Sequence, residues 1–185
     1  RKMYGFCLAV QYVAIIGVIV GLMYLLQQWP SRSQFYMMFL GVAVLIFLLG
    51  YLFEITASSF EGALISTKIS YVGKVYVPVI AFFFVLYYCR IKFSNWFVLV
   101  SAALHTAVLM LVLTCEYHDI FYTNLGFSKD GAFPHLEHWH GPGYVAYMAL
   151  VLCYSLGAFC VCVYRLQKSR DKERKKVLCL MLMIL

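Results

Sequence analysis

The sequence predicts an all-α integral membrane protein, an antiparallel bundle of transmembrane helices with a short β-hairpin or lid loop on its outer side. Three observations predict it. The 185-residue chain is 64% hydrophobic and 12% charged, too little charge to cover the surface of a soluble domain. Its apolar residues fall into successive runs near the roughly 20 residues that a helix needs to cross a bilayer. Polar chemistry gathers in one stretch, TCEYHDIFYTNLGFSKDGAFPHLEHWHGPG from Thr114 to Gly143, which holds four of the five histidines with Glu116, Asp119, Asp130 and Glu137.

The first span is expected from Met3 to Leu26, with Gln11 its one strongly polar residue and Gly17 and Gly21 forming a small-xxx-small face for close packing within the bundle. A turn at Trp29–Arg32 leads to a second span, Phe35–Thr56, that ends with Glu54 still in the apolar run. The polar stretch Ala57–Thr67 reads as a connection. A third span then runs from about Ile69 to Cys89 and contains Lys74 and Pro78, with Arg90 and Lys92 closing it. The fourth is Asn95–Thr114 with His105 near its middle, and the fifth is Tyr144–Tyr164 after the long loop. The basic tract RLQKSRDKERKK, Arg165–Lys176, precedes a sixth span that starts at Val177. The sixth is cut short at Leu185, so residues 1–185 read as one membrane domain of a longer protein.

Alternate connections on one side of the membrane contain ten Lys and Arg, counting Arg32, Arg90, Lys92 and the basic tract, against five on the other. The positive-inside rule therefore expects a multi-pass protein of the plasma membrane with its N-terminus and histidine loop outside. The basic residues sit at helix ends, not in a groove interleaved with aromatics, which excludes nucleic acid and leaves the lipid bilayer as the partner of that charge. Cysteines do not form a disulfide framework: most lie within spans, and Cys160 and Cys162, two apart on a helix, point to different faces.

Charges inside a bilayer are costly unless paired or facing a wet cavity. Glu54, one turn below the outer end of its helix, and Lys74, expected at similar depth at the start of the third span, are thus candidates to pair or to hold a ligand. His105 lies roughly 13 Å below the outer helix end at 1.5 Å per residue. It reads as a hydrogen-bonded packing residue, since no other span offers a second histidine for haem. His135, His138 and His140 are of ligand types suited to zinc. On a strand, however, His138 and His140 share a face while His135 points away. Lys129–Gly131 reads as the turn of a hairpin between Phe121–Phe127 and Ala132–His140. No cofactor is expected, with zinc at these three histidines the one alternative.

The segment YLFEITASSFEGALISTKISYVG, the proline-containing helix ending in LYYCR, TCEYHDIF at the end of the fourth span and the re-entry GPGYVAYMALVLCY resemble a known family. It is the seven-transmembrane input domain found N-terminal to bacterial sensor histidine kinases and diguanylate cyclases. The resemblance runs from about Cys7 to Leu185 and includes Glu54, Tyr71 with Gly73, Arg90, and Thr114 with His118. It implies seven helices, an output domain beyond this chain, and a homodimer formed through that domain. It also implies an outer pocket lined by Glu54, Lys74, Glu116 and His118, with Asp119 beside them and the His135–His140 segment as lid. The chain departs from the family at Thr114–Cys115, where Thr-Asn is usual, so no asparagine contact carries over.

Two functions of different class follow. The first is a sensory module for an extracellular small molecule or ion, itself without catalytic residues. The second is a membrane metal-dependent hydrolase built on the histidine loop, which would need three ligands and an acid/base carboxylate around one open metal position. A transporter would need inverted repeats and broken helices, and the five complete spans show no internal symmetry.

Overall fold

A computed structural model describes residues 2–27, 32–129, 133–168 and 177. Helix α1 (Lys2–Gln27) and α2 (Arg32–Ile55) are followed by α3 (Phe60–Lys74), α4 (Val77–Tyr88) and α5 (Asn95–Leu113). Strands β1 (Tyr122–Ser128) and β2 (His135–His140) come next, and α6 (Pro142–Lys168) completes the described chain. Five helical segments among the described residues are long and apolar enough to cross a membrane: Tyr4–Gln27, Ser33–Ile55, Phe60–Tyr88, Asn95–Leu113 and Pro142–Lys168. The expected turn at residues 29–31, most of the sixth span and the tip of the hairpin at 130–131 lie outside the described residues. Val177 alone represents that sixth span. It is helical and buried against Phe84, Val85, Cys89, Ala158 and Cys162.

The third span corrects the sequence reading. Helix starts at Phe60, not near Ile69, because Ser59 caps it by accepting the Gly62 N–H and Glu61 sits in its first turn, where the helix dipole favours an acid. Ser66 and Thr67, which looked like loop, return their hydroxyls to the Gly62 and Ala63 carbonyls at 2.6 and 3.0 Å. A helix can carry such residues in apolar surroundings because the hydroxyl needs no outside partner.

The span is also broken midway. α3 ends at Lys74, α4 starts at Val77, and Pro78 near the start of α4 has no N–H for the Lys74 carbonyl four residues back. The Tyr147 hydroxyl of α6 donates to that carbonyl at 3.2 Å. A freed carbonyl in the membrane must be satisfied by a neighbour, so Tyr147→Phe is expected to cost about 1–2 kcal/mol. Pro78→Ala restores the missing N–H and should remove most of that cost in the double variant. Thermal unfolding of the four proteins of this cycle in detergent checks it, and equal losses from Tyr147→Phe in both backgrounds would refute it.

Close packing is also placed differently from expectation. Among the described residues a Cβ at Gly17 or Gly21 would meet nothing within 4 Å, whereas one at Gly73 would fall on the Ala43 carbonyl and one at Gly50 on the Ser70 backbone. The tight seam is therefore α2 against α3. α1 is fastened to it by the Leu22 side chain over Gly41 and by Gln11, whose amide donates to the Leu48 carbonyl at 2.7 Å.

At the far end Cys162, buried as its helical spacing from exposed Cys160 requires, meets Cys89, a contact the sequence did not disclose.

Candidate functional site

The hairpin is part of the bundle core. Phe121, Tyr122 and Leu136 are buried in one cluster with Ala63, Leu64, Tyr71 and Val75 of the α3 segment, Val108 and Val112 of α5, and Tyr147 of α6. The strands pair antiparallel, with Tyr122 opposite His140 and Phe127 opposite Leu136, and the register slips between Thr123 and Gly126. Asn124 takes a left-handed φ of 51° at that bulge, a conformation that Asn tolerates better than most residues.

Beneath the hairpin lie the groups that carry charge. The Leu136 N–H donates to Glu54 Oε1 at 3.5 Å, so β2 is fastened to the carboxylate of α2. Thr67 lies beside the same carboxylate and Lys74 within its electrostatic reach. Lys74 Nζ sits 4.7 Å from the centre of the Tyr71 ring, a cation–π arrangement. The Tyr71 and Tyr122 hydroxyls are hydrogen-bonded to each other. The Tyr122 ring packs on His138 with centroids 3.9 Å apart, and His140 on Tyr144 at 4.0 Å. Phe121, with no exposed surface, touches Tyr71, Tyr144 and Tyr147.

Glu54 and Lys74 do face the same interior, but they are not at one depth. Gly50 abuts Ser70 and Gly73 abuts Ala43 and Phe47. Lys74 is therefore set about eight residues, or roughly 12 Å, deeper than Glu54. No ion pair joins the two among the described residues; the pair present is Lys68–Glu116, 2.8 Å apart. That partner holds the Glu116 carboxyl below its usual range and places Glu116 at the rim of the bundle on the hairpin side.

His118 closes the end of α5. Its Nε2 lies 2.9 Å from Thr114 Oγ1, and its Nδ1 accepts the Ile120 N–H at 3.3 Å. The Thr114 hydroxyl already donates to the Met110 carbonyl at 2.7 Å, so His118 is the donor to Thr114 and every polar atom of the group is satisfied. Asp119 is exposed nearby, and its carbonyl, with that of Ile120, abuts Gly141 where the hairpin enters α6. The structure thus brings Glu54 and Lys74 under the lid and leaves Glu116, His118 and Asp119 around its root.

His138 and His140 share a strand face with ring centroids 5.3 Å apart, while His135 turns its Nδ1 to the Phe133 carbonyl at 3.2 Å. Among the described residues no three His, Cys, Asp or Glu side chains gather as metal ligands do, so the hydrolase reading gains no support. Burial lowers the His138 pKa, with the charges of His140, Lys74 and His135 adding to it and the Leu136 carbonyl opposing. Burial also raises the Tyr122 pKa, which keeps that phenol a donor. His105 is fully buried with Nδ1 2.8 Å from the Ser101 carbonyl, and its Nε2 has no partner among the described residues; the packing role holds for one nitrogen.

Sequence reading missed Thr67, Tyr122, Tyr144 and Tyr147 at this site. The signal available was the spacing of Tyr144 and Tyr147, three apart and so on one face at the start of a helix, beside an aromatic pair, Phe121–Tyr122, in an otherwise polar loop.

Compared with known proteins, the chain matches the family described as N-terminal 7TM region of histidine kinase over residues 10–185. No curated protein and no solved structure matches it.

Proposed function

The chain belongs to the family of N-terminal 7TM regions of histidine kinases, and from that premise we propose that it is the sensory input module of a bacterial signalling protein. It receives a small polar molecule or ion from outside the cell at the Glu54–Lys74 site and regulates a cytoplasmic histidine kinase or, in the second variant of this architecture, a diguanylate cyclase. The hairpin and N-terminus face outward across the plasma membrane, the basic tract faces the cytoplasm, two further helices complete the seven, and the output domains pair two copies. Glu116, His118 and Asp119 form the entrance. The observation that carries the reading is the Leu136–Glu54 hydrogen bond. It ties an outer strand to a helix that runs the full depth of the membrane, so any ligand preferring the docked or the released hairpin shifts that helix's equilibrium.

The proton is a ligand of this kind. Because burial lowers the His138 pKa, the released hairpin binds a proton more tightly than the docked one. Docking is therefore complete above the ordinary histidine pKa of about 6.5 and declines as pH falls below it. In the full-length protein reconstituted in vesicles, a step in outer pH from about 7.5 to about 5.5 should change output activity at least twofold, and His138→Phe should abolish the response. In intact cells a membrane-impermeant maleimide should label Trp139→Cys and spare Lys92→Cys. Labelling of the latter, or an output indifferent to outer pH, would reject the proposal.

A further inference from the structure

The turn that ends α4 lies at the membrane face opposite the hairpin. The Arg90 N–H bonds to the Tyr87 carbonyl and the Ile91 N–H to the Leu86 carbonyl, at 3.0 and 2.9 Å. This pairing closes a helix through one residue in the left-handed region, the place where glycine is favoured. Here the residue is Arg90, with φ 57°. An arginine at that position costs roughly 1 kcal/mol against glycine, and its side chain is the one thing gained in exchange.

That side chain lines a cleft of about 450 Å³ with Lys92, Tyr87, Tyr88, Ile91 and Ser33. Among the described residues its wall has two cations, three hydroxyl-bearing side chains and no carboxylate, a set suited to a phosphate diester. The site sits where Phe60–Tyr88 leaves the apolar zone and Ser33–Ile55 enters it, the depth of phospholipid headgroups. Tyr87 is held in place there by its ring contact with Tyr36, centroids 5.5 Å apart.

We propose that the Arg90–Lys92 cleft is a binding site for the headgroup of an anionic phospholipid, its phosphate held by Arg90 and Lys92 and its glycerol by the tyrosine and serine hydroxyls. A lipid is the fitting source of the phosphate because the cleft opens at the bilayer edge, where lipid is concentrated by two-dimensional confinement. Apolar Ile91 lines it as well, matching the start of an acyl chain. The occupied cleft joins the end of α4 to the beginning of α2, the helix that bears Glu54 at its other end.

The test is native mass spectrometry of the full-length protein in detergent, titrated with phosphatidylglycerol, with phosphatidylcholine and with inorganic phosphate. Wild-type protein should retain one phosphatidylglycerol at least tenfold more tightly than phosphatidylcholine. Arg90→Gly relieves the left-handed strain, so its melting temperature should equal or exceed the wild type, yet it should lose that tenfold preference. Lys92→Ala should lose part of it, and Lys168→Ala, a cation at the same membrane face, none. Retention of the preference in Arg90→Gly, or its loss in Lys168→Ala, would overturn the site. Displacement of the lipid by millimolar inorganic phosphate would overturn the lipid assignment in favour of a soluble phosphate.

Discussion

Gly73→Leu should abolish the folded bundle. α2 and α3 touch backbone to backbone at this residue: a Cβ there would fall on the Ala43 carbonyl oxygen and lie 2.7 Å from the Phe47 nitrogen. Neither is the end of a flexible side chain that can swing away. Overpacking costs about 1–3 kcal/mol when neighbours can adjust. Gly73→Ala should reach about 3 kcal/mol, because two helix backbones must separate, and leucine should exceed it. Separation at this level also pulls α3 from the Gly50–Ser70 contact and lowers Tyr71 away from Tyr122. Size-exclusion profiles and thermal melts in detergent provide the measurement, with Gly17→Leu and Gly21→Leu as controls expected to stay folded in open space. If Gly73→Leu behaves like Gly21→Leu, the α2–α3 seam is not where the structure puts it.

That contrast shows what the sequence made legible. Five spans and the hairpin were readable because hydropathy runs and the Lys129–Gly131 turn signal act locally. Glycine packing was not, because Gly17 and Gly73 look alike until partners are known. The start of the third span was misread since Ser58, Ser59, Ser66, Thr67 and Lys68 resemble a solvated connection. Hydroxyls that bond back to their own helix and a lysine that pairs with Glu116 are all compatible with helix. This error carried Lys74 about two turns too high, and so hid that Glu54 and Lys74 bracket the site from different depths. Glu54 and His138 were readable as polar residues in unusual places. Tyr71 and Tyr122, the tyrosines that join them, lie 51 positions apart in the chain, a relation that only folding creates.

Glu54→Ala is expected to produce the largest functional effect of any single change. It leaves the Leu136 N–H buried without its acceptor, a loss of about 1–2 kcal/mol. Amide exchange across His135–His140 should then accelerate about tenfold. It also removes the one acidic side chain among the described residues whose charge reaches half-buried Lys74, and a partly desolvated cation that loses its counter-charge adds to the destabilisation. Two effects are therefore mixed, and a second variant separates them. In Glu54→Gln with Lys74→Met both charges are gone and the amide oxygen can still accept from Leu136, so thermal stability and exchange should return close to wild type. On the function proposed above, the response of the full-length protein to an outer stimulus should stay absent, because the charges proposed to discriminate ligands are missing. Were the double variant to keep the outer response, Glu54 and Lys74 would be parts of the scaffold, and the receptor would read its ligand elsewhere.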